Sequence, residues 1–382
     1  MSGGEAFTFR GRAWTAGGIH DDVIVVTEDG RFADVRLASR FDDPEPNVGE
    51  GLMVPGFVDV HVHGGAGADF MDATEEAAHR VCAFHLGEGT TALAATTLSG
   101  SREAIAEALR TIAAAARRQP AHESLIAAVH LEGPYLNPEK SGAHDRASLR
   151  PADPAEVAFW LSAAPSLPWI MTVAPEIAGV LALIERYRSE ICFSIGHTTA
   201  DFGRAVVALE AGATHLTHLF NAMPPLLHRE PGPVGAAFVN GGCTVELIAD
   251  GIHLHPGILH LVSSVMPDRA ALVTDAVRAC GMPDGSYSLY EHQVELRDGA
   301  VRLASGALAG SVLTMRRAVQ NMVELAGLPL ETVLPMATEI PAQILGLESR
   351  KGRIAAGFDA DLLVLSPRFE ITTIVRAGER VR

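Results

Sequence analysis

Histidines and carboxylates recur at the ends of short apolar runs in this chain, and their side chains are the types that bind divalent metals. His61 and His63 are two residues apart, so in a strand both imidazoles point to the same side. Other runs end at Glu132, His197, His218 and Asp275. Four imidazoles and two carboxylates suit one or two divalent cations, which predicts a metal centre that activates water for hydrolysis.

Each of these residues also has an ordinary structural interpretation. A histidine pair in a strand is often a satisfied core pair, and only the agreement of five strand ends favours metal ligands. A carboxylated lysine can bridge two metals, but Lys140 and Lys351 lie away from the strand ends, which leaves Glu132 as the bridge if there is one. Asp275 is either a ligand alone or the carboxylate that takes a proton from the attacking water and passes it to the leaving group.

A second group of residues carries donors for an anionic part of a substrate. Asn221, Ala222 and Arg229 follow the sixth apolar run, and His253 follows the seventh. The planar guanidinium of Arg229 matches a phosphate, and Asn221 with His253 would complete a pocket around it. The alternative is a surface ion pair between Arg229 and Glu230.

Eight short apolar or β-branched runs position these residues, and most of them precede a helix-like stretch. The runs are residues 56–62, 90–98, 124–132, 169–176, 191–197, 214–219, 244–249 and 270–275. This alternation is typical of parallel βα units, and eight such units close a barrel. In a (β/α)8 barrel the functional residues lie at the C-terminal ends of the strands, where the candidate ligands fall.

The two ends of the chain predict a second, smaller unit. Asp29-Gly30 separates two strand-like runs before the barrel, and the residues after the barrel again alternate as strand, turn and strand. We therefore expect an α/β fold with a (β/α)8 TIM-type barrel over 53–346 and a small β-sandwich domain formed by 1–52 and 347–382. Two Asp-Gly pairs predict a β-hairpin insertion near 282–308.

Composition limits the classes of function. The chain has 30 basic and 46 acidic residues, a formal charge of −16, which argues against nucleic-acid binding and requires a local basic pocket for an anionic substrate. No apolar run approaches the roughly 20 residues that span a bilayer, and the N-terminus lacks a secretory pattern. The four cysteines are scattered and form no CxxC pair. We expect a soluble cytoplasmic protein that contacts neither nucleic acid nor membrane.

Several motifs resemble those of a known family. The sequences PGFVDVHVHG at 55–64 and GRI and GFDADL within 352–362 are similar to those of the amidohydrolase superfamily. Within that superfamily, the deacetylases of amino-sugar phosphates resemble this chain at HLEGPY (130–135), TVAPE (172–176), GHT (196–198), HLFNAM (218–223), REPG (229–232) and VTDA (273–276). The resemblance implies hydrolysis of the acetamide of N-acetylglucosamine 6-phosphate, in amino-sugar catabolism and cell-wall sugar recycling.

The resemblance also implies metal ligands and catalytic residues. Glu132, His197 and His218 would hold a primary metal, and His61 and His63 would be available for a second one. Asp275 would be the acid and base next to the metal, and His144 would polarise the acetamide carbonyl. Zinc is the foremost expectation for the cation, with iron, manganese, cobalt and nickel as alternatives, and the number of ions, one or two, stays open.

The implied substrate contacts involve a further set of residues. Ala143 and His144 would lie near the sugar and its acetamide, and the sugar phosphate would be held by Asn221, Ala222, Arg229 and His253. Arg229 would serve the site of the neighbouring subunit, which implies a homodimer. The alternatives are a deacetylase of N-acetylgalactosamine 6-phosphate, another amidohydrolase such as a cyclic amidase, and a catalytically silent sugar-phosphate sensor.

Overall fold

A computed structural model describes residues 6–39 and 47–382 of the chain. These residues form a closed barrel of parallel strands, a smaller sheet built from both ends of the chain, and a third sheet inserted after the last barrel strand. Within the described ranges, no helix has the length and apolar character that crossing a membrane requires.

Eight parallel strands follow one another around the barrel in chain order. They are Phe57–Val62, Thr90–Thr97, Leu125–Glu132, Trp169–Val173, Ile191–Ile195, His215–Leu216, Thr244–Ile248 and Ala270–Val273. The sheet closes where the Asp275 amide donates to the His61 carbonyl oxygen at 2.9 Å and where Val62 bridges Ala276. The predicted (β/α)8 barrel is confirmed. Its strands are covered on both faces, which is why they appear in the sequence as continuous apolar runs.

Helices surround this barrel and return the chain from one strand to the next. They are Glu75–Gly87, Arg102–Ala116, Pro154–Ala163, Val180–Tyr187, Phe202–Ala211, Gly232–Val239, Pro256–Val265, Met315–Glu324, Leu330–Ala337 and Glu339–Ile344. Local sequence determines where several of them begin. The side chains of Thr74, Ser101 and Asp201 accept hydrogen bonds from backbone amides in the first turn of the helices that follow them.

The small sheet has seven strands and joins the two ends of the chain. In spatial order they are Glu379–Arg380, Ile371–Arg376, Leu362–Leu365, Asn47–Pro55, Phe7–Thr15, Gly18–Glu28 and Arg31–Leu37. The turn at Gly30 approaches the turn at the other edge of the sheet, since a Cβ atom on Gly30 would stand 3.1 Å from the Ala377 carbonyl oxygen. Met53 belongs to the core of this sheet, whereas its neighbours Leu52 and Val54 pack with the barrel core. The predicted small β-domain is confirmed.

The segment after the eighth barrel strand forms a four-stranded antiparallel sheet, which is larger than the single hairpin expected near 282–308. Its strands are Gly285–Leu289, His292–Arg297, Ala300–Leu303 and Leu308–Ser311. Asp298 and Gly299, with φ angles of 51° and 77°, make the turn between the second and third strands. The inserted sheet has its own apolar cluster, in which Leu98 and Val277 from the barrel mouth take part. It therefore packs beside the C-terminal ends of the barrel strands.

Candidate metal centre and substrate pocket

The structure brings the six predicted metal-binding side chains together at the C-terminal end of the barrel. His61 is the penultimate residue of the first barrel strand and Glu132 is the last residue of the third, and the others follow strand ends by one or two residues. All six are buried, with at most 7% of the surface exposed. The set consists of His61, His63, Glu132, His197, His218 and Asp275.

Glu132 is the hub of this cluster. One carboxylate oxygen, Oε1, lies 3.2 Å from Nε2 of both His197 and His218 and 3.6 Å from Nε2 of His61. The other oxygen, Oε2, lies 3.3 Å from Nε2 of His63. One carboxylate therefore contacts both pairs of histidines, which is the arrangement that the sequence predicts for a bridging ligand.

The remaining donor atoms lie at similar separations. Nε2 of His61 and Nε2 of His63 are 3.1 Å apart, and those of His197 and His218 are 3.0 Å apart. Asp275 Oδ1 lies 3.3 Å from Nε2 of His63 and 3.4 Å from Nε2 of His61. Two ligands that each bind zinc tetrahedrally at about 2.0–2.2 Å are separated by roughly 3.4 Å. The donor set and its spacing fit a divalent cation.

Hydrogen bonds orient two of the imidazoles for that purpose. Nδ1 of His61 donates to Glu246 Oε2 at 2.9 Å, and Nδ1 of His197 donates to the carbonyl oxygen of Lys140 at 2.7 Å. A proton on Nδ1 leaves the lone pair on Nε2, the atom that faces the centre. Nδ1 of His63 and of His218 is buried without a partner among the described residues.

Oppositely charged side chains of the cluster shift one another's pKa values. Burial favours a neutral Glu132, but the charge of His61 and the hydrogen bond with His144 hold the pKa of this carboxyl well below its usual range. Burial likewise opposes ionisation of Asp275, and the charge of His61 lowers its pKa. Although burial acts to lower the pKa of His63, hydrogen bonds with Asp275 and Glu132 raise it to about 9. Imidazolium protons thus supply the positive charge that a bound cation would replace.

His144 lies beside the cluster as a neutral imidazole. Burial lowers its pKa to about 4. The backbone amide of Ser99 donates to its Nδ1 at 3.2 Å, which assigns the ring proton to Nε2. That atom lies 3.2 Å from Glu132 Oε2, so the proton is directed toward the metal centre. His144 is therefore a fixed hydrogen-bond donor beside the cluster.

Three residues of the cluster have left-handed backbone conformations. His197, His218 and Asp275 have φ angles of 46°, 29° and 49°. Left-handed conformations of residues other than glycine cost about 1–3 kcal/mol and concentrate at functional sites. They turn the side chains inward immediately after the strand ladders end, which explains why the observed strands are shorter than the predicted runs.

A pocket of about 320 Å³ opens onto the cluster. Of the predicted substrate-binding residues, it is lined by Ala143, His144, Asn221, Ala222 and His253. Nδ1 of His253 is held by Asp250 Oδ2 at 2.6 Å. The last strand of the inserted sheet contributes Leu308, Ala309 and Gly310 to the wall. The pocket thus combines donors from barrel loops with a wall of small and apolar residues from the insertion.

Arg229 does not line this pocket in the single chain. It is exposed, as are its neighbours His228 and Glu230. Arg229 therefore lies at the surface, as the alternative considered from the sequence expects, but no ion pair to Glu230 is found among the described residues. Leu226 and Leu227, which precede it, are exposed to 39% and 48%.

Sequence reasoning missed two residues of this region. Lys140 lines the pocket, and Glu246 is fully buried behind His61. Glu246 had a detectable signal, since it is an acidic residue within an apolar strand run and a buried carboxylate needs charged or polar partners. His130, which also lies near His61 and Glu246, is satisfied by the Val60 carbonyl oxygen and the Thr172 hydroxyl, so it belongs to the core.

The fold and the centre are those of a metal-dependent hydrolase, and comparison with known proteins defines the family. The family model described as "Amidohydrolase family" matches residues 52–381, so the chain belongs to the amidohydrolase family. This family is generally dependent on divalent metals, in agreement with the donor clusters found here. The family resemblance inferred from the motifs is confirmed.

Individual relatives are more specific. The chain is 37% identical to an N-acetylglucosamine-6-phosphate deacetylase of Bacillus subtilis, over 86% of this chain and 84% of the relative. It is 35% identical to an N-acetylgalactosamine-6-phosphate deacetylase of Escherichia coli O157:H7, over 86% and 87% of the two chains. A solved structure of N-acetyl-D-glucosamine-6-phosphate deacetylase from Mycobacterium smegmatis is also similar; it shows a variant in complex with N-acetyl-D-glucosamine-6-phosphate. The match covers 99% of this chain and 100% of that one, with a TM-score of 0.93 and 35% sequence identity.

Proposed function

We propose that this protein hydrolyses the acetamide of N-acetyl-D-glucosamine 6-phosphate to D-glucosamine 6-phosphate and acetate, in amino-sugar catabolism and cell-wall sugar recycling. The observation that carries the proposal is one pocket in which a carboxylate, Asp275, and a neutral donor, His144, adjoin a cluster of metal-binding side chains. The similarity to N-acetylglucosamine-6-phosphate deacetylases over most of the chain supports it.

The chain's own residues move the protons in this reaction. A divalent cation, when bound, polarises the amide carbonyl and acidifies the attacking water. Asp275 is ionised, so it accepts a proton from that water as the new C–O bond forms. The resulting carboxylic acid gives the proton to the amine nitrogen as the C–N bond breaks. His144 donates a hydrogen bond from Nε2 to the carbonyl oxygen, on which negative charge develops.

The candidate centre divides into two halves, which sets the expectation for metal content. We propose that Glu132, His197 and His218 hold a primary ion and that His61 and His63 are available for a second one. Zinc is the foremost candidate because imidazole and carboxylate are ligands it accepts in catalytic sites. Iron, manganese, cobalt and nickel remain the alternatives, and metal analysis of the purified protein distinguishes them.

We further propose that the working form is a homodimer. Asn221, Ala222 and His253 would hold the sugar phosphate from within the chain, while Arg229 would reach the pocket of the neighbouring subunit. The exposed position of Arg229 outside its own pocket supports this arrangement. Leu226 and Leu227 beside it would be covered by a second copy. A cytoplasmic location is also proposed, which the four unpaired cysteines support.

N-acetylgalactosamine 6-phosphate is the second candidate substrate, because the relative from Escherichia coli that carries that activity is about as similar to this chain. The test is the stoichiometry of products from metal-reconstituted protein incubated with N-acetylglucosamine 6-phosphate. Equal amounts of acetate and free primary amine are expected. Metal-loaded protein that releases neither product from either sugar phosphate would contradict deacetylation and favour a silent sugar-phosphate sensor.

A further inference from the structure

Glu246 lies in the seventh barrel strand, Thr244–Ile248, and is completely buried. Its Oε2 accepts hydrogen bonds from Nδ1 of His61 at 2.9 Å and from the backbone amide of His218 at 2.9 Å. Its Oε1 accepts a hydrogen bond from Nε2 of His215 at 3.1 Å. One carboxylate thus contacts a residue from each half of the candidate metal centre.

The fold alone does not account for a carboxylate at this position. Burying an ionised carboxylate is strongly unfavourable unless it is paired and hydrogen-bonded, and apolar residues often replace such groups without loss of stability. Glu246 meets this condition, because its two oxygens accept hydrogen bonds from two imidazoles and one backbone amide. These three donors favour the ionised carboxylate behind the centre.

The location of Glu246 separates it from the reacting groups. It is not among the residues that line the substrate pocket, and it reaches the centre only through its hydrogen bonds to other residues. The hydroxyl of Thr244 lies 2.7 Å from Nδ1 of His215 and fixes the ring that contacts the other carboxylate oxygen. The carboxylate consequently has one orientation, with Oε2 toward His61.

We propose that Glu246 is a positioning residue that holds the His61 imidazole with its Nε2 lone pair toward the metal centre and thereby sets the affinity for the cation that His61 and His63 bind. Carboxylates that accept the second ring proton of a metal-binding histidine fix its tautomer and raise its basicity, and their loss weakens metal affinity by about 10- to 100-fold. The inference rests on the metal centre of the proposed function and is independent of the substrate.

The test compares metal affinity in Glu246→Gln and in a matched control. Glu123→Gln changes another buried carboxylate that pairs with a histidine, since Glu123 Oε2 lies 2.7 Å from Nδ1 of His79. Zinc binding is titrated against a chromophoric chelator, and the visible spectrum of cobalt-substituted protein reports the ligand field. We expect about 10- to 100-fold weaker zinc binding and an altered cobalt spectrum for Glu246→Gln. The control should bind zinc with wild-type affinity.

A double-mutant cycle with His61→Gln distinguishes positioning from a general structural role. If Glu246 acts through His61, the Glu246→Gln change should have little further effect on zinc affinity in the His61→Gln background. A full effect in that background, or wild-type zinc affinity in Glu246→Gln itself, overturns the proposal. Glu246→Asp, which retracts the charge by one methylene, provides the same comparison if the glutamine variant does not fold. Wild-type protein that binds zinc but releases no acetate would reject the proposed substrate and leave this inference standing.

Discussion

Replacing Asp275 with asparagine removes the carboxylate assigned to proton transfer and keeps the size of the side chain. Asp275 is only 7% exposed, and its Oδ1 lies 3.3 Å from Nε2 of His63, so the amide occupies the same space. General acid–base catalysis contributes about 100- to 10,000-fold to a rate. Because the same carboxylate serves both proton transfers, we expect kcat to fall by about 10,000-fold, which is about 5 kcal/mol of activation free energy.

The assay is acetate release by zinc-reconstituted wild type and Asp275→Asn at saturating substrate, with the metal content measured on the same samples. The variant should keep its tightly bound metal because Glu132, His197 and His218 are intact. A variant that retains the metal and turns over within about tenfold of the wild type would refute the proton-transfer role. Loss of metal together with turnover would make Asp275 a ligand only. Glu123→Gln is the control, and its turnover should be unchanged.

Three further changes test other parts of the account. His144→Ala should lower kcat by about 100- to 1,000-fold with little change in KM, because one fixed donor to a developing oxyanion contributes about that factor to the rate. Steady-state kinetics measure kcat and KM, and an unchanged kcat would contradict the donor role of His144. Arg229→Ala should raise KM for the phosphorylated substrate by about 10- to 100-fold and leave kcat unchanged, since the phosphate contact exists in ground and transition states alike; a fall in kcat alone would contradict this. Lys351→Met should reduce the free energy of unfolding by about 3–5 kcal/mol in urea denaturation, because the buried Asp361 loses the ammonium that lies 2.6 Å from its Oδ2. The pKa of Asp361 is held below its ordinary value of 3.8, so the wild-type advantage should be present above that pH and should disappear as the pH falls below it.

Much of the barrel and its polar strand ends could be predicted from the sequence. A strand that is covered on both faces needs an unbroken apolar run, and a polar residue at the end of such a run is easily recognised. His61 with His63, and Glu132, stood out for this reason, and the structure places them within contact of one another. The Asp29-Gly30 turn was equally clear, because both residues adopt left-handed conformations that few other residue pairs accept.

The remaining features depend on contacts between distant segments. The acidic residue Glu246 is visible in its strand, but the sequence does not say that His61 and His218 are its partners. Arg229 was expected beside the phosphate donors, yet its distance from its own pocket is a property of the folded loop. The Asp-Gly turns indicate a hairpin, but strand pairing in the inserted sheet continues beyond them to Ser311, which gives the sheet four strands. The domain boundaries at 52 and 346 stay a prediction.

The most direct test of the central claim measures acetate release by the zinc- or iron-reconstituted protein. The kcat/KM values are compared for N-acetylglucosamine 6-phosphate, N-acetylgalactosamine 6-phosphate and unphosphorylated N-acetylglucosamine. Deacetylation of an amino-sugar phosphate predicts the highest kcat/KM for the first substrate and a large loss when the phosphate is absent. Equal values with and without the phosphate would contradict the phosphate pocket. Activity on none of the three, with metal bound, would make the substrate assignment wrong.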